Sequence, residues 1–299
     1  MGQKILAFVK LTRPWFLGGG VILYLLGAVM AQVQGFTLQV ERLLLGQLLV
    51  TSIQLATHYS NEYYDYAVDA AIGSARTPFS GGSGILVSGQ LERVVARHAT
   101  YVCLGLAGLA WVICGLLSPL MWIIGLLAMW GGYFYSAPPL KLEGSGWGEL
   151  VTALLTAVLV PLTGYIMQTN QIDPLVLISC LPLIPIYLAM VLTFELPDFP
   201  ADRAFGKKTI TVRVGVLRAA WLHNLLLIGG WVGMAITMAF LPPRLSGQLV
   251  WLALPLGLWQ IAGVVWRSRR GWRSYTLLAG GAVALAGLIP LLWLIDLLS

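Results

Sequence analysis

Five residues in two short stretches have the types and spacing needed to hold a divalent cation. Asn61, Asp65 and Asp69 fall at i, i+4 and i+8, so on a helix their side chains make one polar row. Asp198 and Asp202 repeat the four-residue step about 130 residues later, with Arg203, Lys207 and Lys208 close behind. Two carboxylates four apart on a helix repel each other, a cost that a purely structural helix end has no reason to carry. Oxygen donors of this kind suit Mg²⁺, which keeps several waters and binds substrate phosphates through the positions left open. Facing each other, the rows would form a site with two acidic walls, stable only if cations fill it. A diphosphate bridging such ions would give the nearby Arg and Lys a charge to neutralise.

The elements that position these rows must lie in a membrane. Of 299 residues, 58% are hydrophobic and 10% charged, and the mean hydropathy is +0.83. A soluble domain carries about 25% charge, so this composition excludes one. The apolar runs are too long for the strands of an outer-membrane barrel. Nine windows are long enough to span: 15–34, 43–60, 98–117, 120–137, 149–168, 174–196, 219–241, 248–266 and 275–298. With the N-terminus in the cytoplasm and the C-terminus outside, sixteen of the eighteen Lys and Arg, from Lys4 to Arg273, fall inside, leaving only Arg42 and Arg244 outside. That bias is what the positive-inside rule requires. It also explains the net charge of +6 without a nucleic-acid partner. The expected architecture is thus an all-α, nine-helix transmembrane bundle forming one domain over 1–299. Both carboxylate rows then sit at cytoplasmic ends of spans, and the middles of the spans hold almost no ionisable residue, which argues against a transport path.

Several residues read more simply. Cys103, Cys114 and Cys180 lack paired or metal-type spacing and are expected in the core. No small-residue cleavage site follows the basic N-terminal residues, so no signal peptide is expected. His58 is expected to be a structural donor, and Ser80 to Gly84 a lid or loop. Arg267, Arg269 and Arg270 read as a topology anchor meeting anionic lipid, and Trp15, Trp147 and Trp272 as interface anchors. Pro197 and Pro200 predict that the sixth span ends or bends near Glu195 and that a new turn starts there.

Asn61-x-x-x-Asp65-x-x-x-Asp69 and Asp198-x-x-x-Asp202, with Tyr135-Ser136-Ala137-Pro138-Pro139-Leu140-Lys141 between them and Thr12-Arg13-Pro14 opening the first span, resemble the signature of the UbiA superfamily of intramembrane prenyltransferases. Within it, the segment from Asn61 to Tyr66 and Gly81-Gly82-Ser83-Gly84 are most similar to the 1,4-dihydroxy-2-naphthoate prenyltransferase branch of menaquinone biosynthesis. The resemblance implies an enzyme of the plasma (inner) membrane with its site on the cytoplasmic side. Asp65, Asp69, Asp198 and Asp202, with Asn61, would hold Mg²⁺ on the diphosphate of a polyprenyl donor. Arg13, Arg76, Lys141, Lys207 and Lys208 would take up the remaining phosphate charge. Tyr64 and Tyr135, with Tyr63 and Tyr66 beside them, would present ring faces to an allylic cation. A small aromatic acceptor then captures the cation. Closure of the cation on its own chain would instead make a terpene cyclase.

Overall fold

A computed structural model describes residues 2–270 and 275–299; Trp272 and Arg273, invoked above as anchor and inside charge, lie outside them. The described residues contain no strand. In chain order the helices are α1 (Gly2–Leu11), α2 (Pro14–Val33), α3 (Val40–Tyr64), α4 (Tyr66–Ile72), α5 (Arg93–Leu117), α6 (Leu120–Phe134), α7 (Gly148–Leu154), α8 (Val160–Thr169), α9 (Pro174–Cys180), α10 (Leu183–Ala204), α11 (Ile210–Val214), α12 (Val216–Phe240), α13 (Leu254–Arg270) and α14 (Thr276–Leu298). A π-helical turn, Leu155–Leu159, joins α7 to α8.

All nine windows fall on helix, and seven stretches are long and apolar enough to cross a membrane. The other two windows differ for distinct reasons. Helix α6 is apolar but has 15 residues, a length of about 22 Å at 1.5 Å per residue. Helix α3 has 25 residues but carries Gln54, Thr57, His58 and Asn61, which turn toward an internal cavity.

The main core gathers side chains from α2, α8, α10, α12 and α14 around Tyr165, Trp231 and Trp293. Two glycines bring α2 against α8: a Cβ on Gly27 would lie 1.8 Å from the Pro161 carbonyl oxygen, and one on Gly164 would lie 2.0 Å from that of Tyr24. Small residues at such crossings let backbones touch and gain dispersion contacts that lipid cannot supply. The outward faces carry Leu109, Leu116, Leu225, Phe240 and Leu277, all exposed, an apolar exterior suited to hydrocarbon. Cys103, Cys114 and Cys180 are free and buried, as expected.

The prolines do not end the sixth window's helix. Helix α10 runs unbroken through Pro197 and Pro200 to Ala204. Each ring removes only one N–H from the ladder, and the break falls earlier, at Leu181 and Pro182 between α9 and α10.

Candidate active site

The first wall is the end of α3. Asp65 caps it, and the backbone continues into α4 with Asp65 N–H donating to Asn61 O and Asp69 N–H to Asp65 O, both at 2.9 Å. The helical step therefore survives the junction. Asn61 Nδ2 donates to Asp65 Oδ2 at 3.1 Å. Asp69 rests on the glycine-rich loop: a Cβ at Gly82, whose φ is +71°, would lie 2.1 Å from Asp69 Oδ2. Only glycine combines that approach with that backbone angle. Burial, opposed by Arg13 and reinforced by Asp65 and Glu62, pushes the Asp69 carboxyl up to about 7.

Arg13 closes this wall from the α1–α2 junction. Its Nε donates to Glu62 Oε1 at 2.9 Å and its Nη2 to Asn61 Oδ1 at 3.0 Å. Glu62 in turn accepts from Ser83 N–H at 2.6 Å and Ser83 Oγ at 2.9 Å. One buried carboxylate thus ties Arg13 to the glycine-rich loop. Burial alone would lower the Arg13 pKa; Glu62 and Asp69 outweigh it and hold the guanidinium above its ordinary value.

The second wall is the end of α10, which stops in a Schellman motif. Gly206, at φ +73°, donates to Arg203 O at 3.2 Å, and Lys207 N–H reaches back to Asp202 O at 2.9 Å. That closure sets the Lys207 side chain between the walls. Its Nζ lies 2.8 Å from Asp65 Oδ2 and 3.8 Å from both Glu143 Oε1 and Asp202 Oδ1. Burial would lower the Lys207 pKa, and Glu143, Asp65 and Asp202 together reverse that and raise it. Glu143 accepts from Asn61 Nδ2 at 2.8 Å and from Ser136 Oγ at 2.7 Å. Burial and neighbouring Asp65 push its carboxyl well above the usual carboxylate range.

Both walls line one cavity of about 480 Å³. It reaches down α3 from Asn61 to Leu49, about 18 Å at 1.5 Å per residue. Gly18 and Gly19 line it and a Cβ on either would meet nothing within 4 Å, whereas Gly20 packs against Gln54. The glycine run of α2 therefore serves open space at two positions and close packing at the third.

Of the residues expected at the site, Arg13, Asn61, Asp65, Asp69, Tyr135, Asp198, Asp202 and Lys207 line the cavity. Arg76, Lys141, Lys208 and Tyr64 do not. Arg76 donates to the Asp69 and Gly81 carbonyls at 2.5 and 2.6 Å and fastens the loop to α4. Lys141 and Lys208 are exposed; the turn at Gly206 sends Lys207 inward and its neighbour out. Tyr64 stacks edge-on against Tyr63, and Tyr63 and Tyr66 lie under Arg93 on the outer face, as interface aromatics do. His58 Nδ1 lies 2.8 Å from the Thr12 carbonyl, and His58 also lines the cavity. Glu62 and Glu143 were not singled out for the site by their spacing. Glu62 lies one residue off the Asn61 row, and Glu143 sits in a loop without periodicity.

The donor set fits a hard divalent ion. Six carboxylates and two cations line the cavity, a negative excess that a metal would relieve. Asp198 Oδ1 is buried and has no hydrogen-bond partner among the described residues. No three carboxylate, imidazole or thiol groups among those residues stand close enough to hold an ion unaided. Water and a phosphate must complete such a shell, which is how Mg²⁺ is ordinarily bound.

Comparison with known proteins identifies the family. The UbiA prenyltransferase family profile matches residues 20–279. The chain is 28% identical over 212 residues to the 1,4-dihydroxy-2-naphthoate octaprenyltransferase of Bacillus subtilis (strain 168), an alignment covering 69% of this chain and 65% of that protein, a little under two thirds of its length. It is 27% identical over 252 residues to the digeranylgeranylglyceryl phosphate synthase of Korarchaeum cryptofilum (strain OPF8), covering 84% and 81%. A UbiA homologue from Archaeoglobus fulgidus, solved bound to GPP and Mg²⁺, shares the fold with a TM-score of 0.67 at 17% identity, over 98% of this chain and 100% of that one. Motif order, helical architecture and a family match spanning most of the sequence converge, and the chain belongs to the UbiA prenyltransferase family, enzymes that transfer prenyl groups within membranes.

Proposed function

We propose that the enzyme is a Mg²⁺-dependent aromatic prenyltransferase that moves a polyprenyl group from polyprenyl diphosphate to a small aromatic acceptor, 1,4-dihydroxy-2-naphthoate in menaquinone biosynthesis. The observation that carries this reading is the division of one cavity. Its head is ringed by Arg13, the two carboxylate rows and Lys207, and its body by Ile22, Leu49, Val50, Leu155, Val191 and Ala286. An isoprenoid diphosphate is divided in the same way. The Bacillus relative's name supports the acceptor.

Asn61, Asp65 and Asp69 on one wall and Asp198 and Asp202 on the other would hold Mg²⁺. Bound there, the metal supplies neutralisation of the diphosphate as a leaving group. Lys207 and Arg13 reach the same space and stabilise the charge that develops on the leaving oxygen. The Tyr135 ring, on the cavity wall, faces the allylic cation left when the C–O bond breaks. A carbon of the acceptor ring forms the new C–C bond, and loss of its carboxylate as carbon dioxide restores aromaticity. We assign nine spans with Gly2 on the cytoplasmic side of the plasma membrane and Ser299 on the other, because sixteen of eighteen Lys and Arg then lie inside. The carboxylate walls face the cytoplasm in that orientation.

The test is a reconstitution in lipid vesicles with Mg²⁺, a labelled polyprenyl diphosphate and a panel of acceptors. Diphosphate release and a prenylated naphthoquinol that both require 1,4-dihydroxy-2-naphthoate support the reading. Release without acceptor, with a cyclic hydrocarbon as product, marks a cyclase. Transfer to a glyceryl phosphate alone overturns the acceptor assignment.

A further inference from the structure

Two buried carboxyls stand apart from the Mg²⁺ and diphosphate assignments above. Glu149, in the first turn of α7, and Glu195, in α10, are 2% and 8% exposed. The two carboxyl groups are close neighbours. Glu149 Oε2 is buried with no hydrogen-bond partner among the described residues. Each member also accepts a backbone N–H from the start of α11: Ile210 N–H donates to Glu149 Oε1 at 2.6 Å and Thr211 N–H to Glu195 Oε2 at 3.0 Å.

These two bonds hold one end of the segment 206–211, whose other end is the Schellman closure of Gly206 and Lys207 onto Arg203 and Asp202. Between them the backbone is pinned once more, where Lys208 N–H meets Gly144 O at 2.8 Å. Lys207 lies inside this span. Its ammonium reaches Asp65 from there. We propose that Glu149 and Glu195 form a paired-carboxyl clamp that fixes residues 210 and 211 and thereby aims Lys207 at the donor's diphosphate. Glu195 lines the cavity but acts here as a positioning residue, through Lys207. The proposal rests on the reading of the cavity as a diphosphate site.

The experiment measures Mg²⁺-dependent binding of inorganic pyrophosphate to the full-length protein in detergent or nanodiscs, for the wild type and for K207A, E195A, E195Q and K207A/E195A. E195A is expected to weaken binding about tenfold, the loss of one charge-assisted hydrogen bond to the ligand. E195Q, whose amide can donate to Glu149 and accept from Thr211, is expected to stay within about twofold of the wild type. In the K207A background the E195A penalty is expected to vanish, because the two changes remove the same contact. Should E195A not be recovered folded, E195D replaces it: the shorter side chain opens the clamp while keeping the charge. Wild-type affinity in the opened variant, an undiminished penalty in the K207A background, or an E195Q as weak as E195A overturns the clamp alone. Unchanged binding in K207A overturns the diphosphate reading itself, and the clamp with it.

Discussion

The Lys207 ammonium lies 2.8 Å from Asp65 Oδ2 and joins residues 142 positions apart in the chain. It is a direct bond between the two carboxylate walls. Its other close partners, Glu143 and Asp202, place it amid three acids whose mutual repulsion it offsets. The walls are therefore held ready to accept further positive charge without collapsing together or splaying apart.

Asp65→Asn and Asp198→Asn should each lower turnover by about 10²-fold or more, as expected when a metal-holding oxygen is lost from a phosphoryl-leaving site. The thermal midpoint of Asp198→Asn should stay close to that of the wild type, since Asp198 Oδ1 has no hydrogen bond to lose, whereas Asp65→Asn gives up the 2.8 Å ion pair with Lys207 and should melt lower while remaining folded. Turnover with labelled donor and a melting curve on the same preparation check both halves. Normal turnover would remove the residue from the site.

Lys207→Ala should raise the donor KM about tenfold, whereas Lys141→Ala and Lys208→Ala should leave it within about twofold, because those side chains face outward. Steady-state kinetics on the three variants decides. A large effect at Lys208 with none at Lys207 would contradict the inward placement of Lys207.

Substitutions at the glycines of α2 should separate by position. Gly19→Leu projects into the open cavity and should shift preference toward shorter prenyl donors at little cost in stability. Gly27→Ala drives a Cβ into the Pro161 carbonyl and should destabilise by about 1–3 kcal/mol, the usual cost of overpacking. Product chain length by mass spectrometry and thermal unfolding read the two effects. A Gly19→Leu enzyme with unchanged donor preference would place the prenyl chain elsewhere.

Mg²⁺ should raise the unfolding temperature of the ligand-free protein, by about 2.7 kcal/mol of stabilisation at a hundredfold excess over its Kd, while Na⁺ at equal ionic strength should not. Asp65→Asn should blunt the Mg²⁺ response. Calorimetry or fluorimetry without any substrate reports this directly, and an equal response to both ions would speak against a metal held by these carboxylates.

The carboxylate rows were legible in the sequence because helical spacing is local: four residues bring two side chains to one face wherever the helix ends up. The same locality explains what was missed. Lys207 and Lys208 are indistinguishable by type, and only the αL glycine before them decides which one enters. Glu143 finds Asn61 across 82 residues, and no periodic pattern announces that meeting. Pro197 and Pro200 signal a stop by propensity, yet packing keeps α10 helical through both. Arg76 and Lys141 have the charge a diphosphate needs, but one bonds backbone carbonyls and the other faces outward.

Because the Lys207 amide hangs from the Asp202 carbonyl, counter-charge and carboxylate travel as one rigid piece. If the tip of α10 swings to admit or release a ligand, the electrical balance of that lip goes with it. A side chain in place of the hydrogen at Gly206, whose φ is +73°, would strain this tether and loosen the coupling of charge to motion.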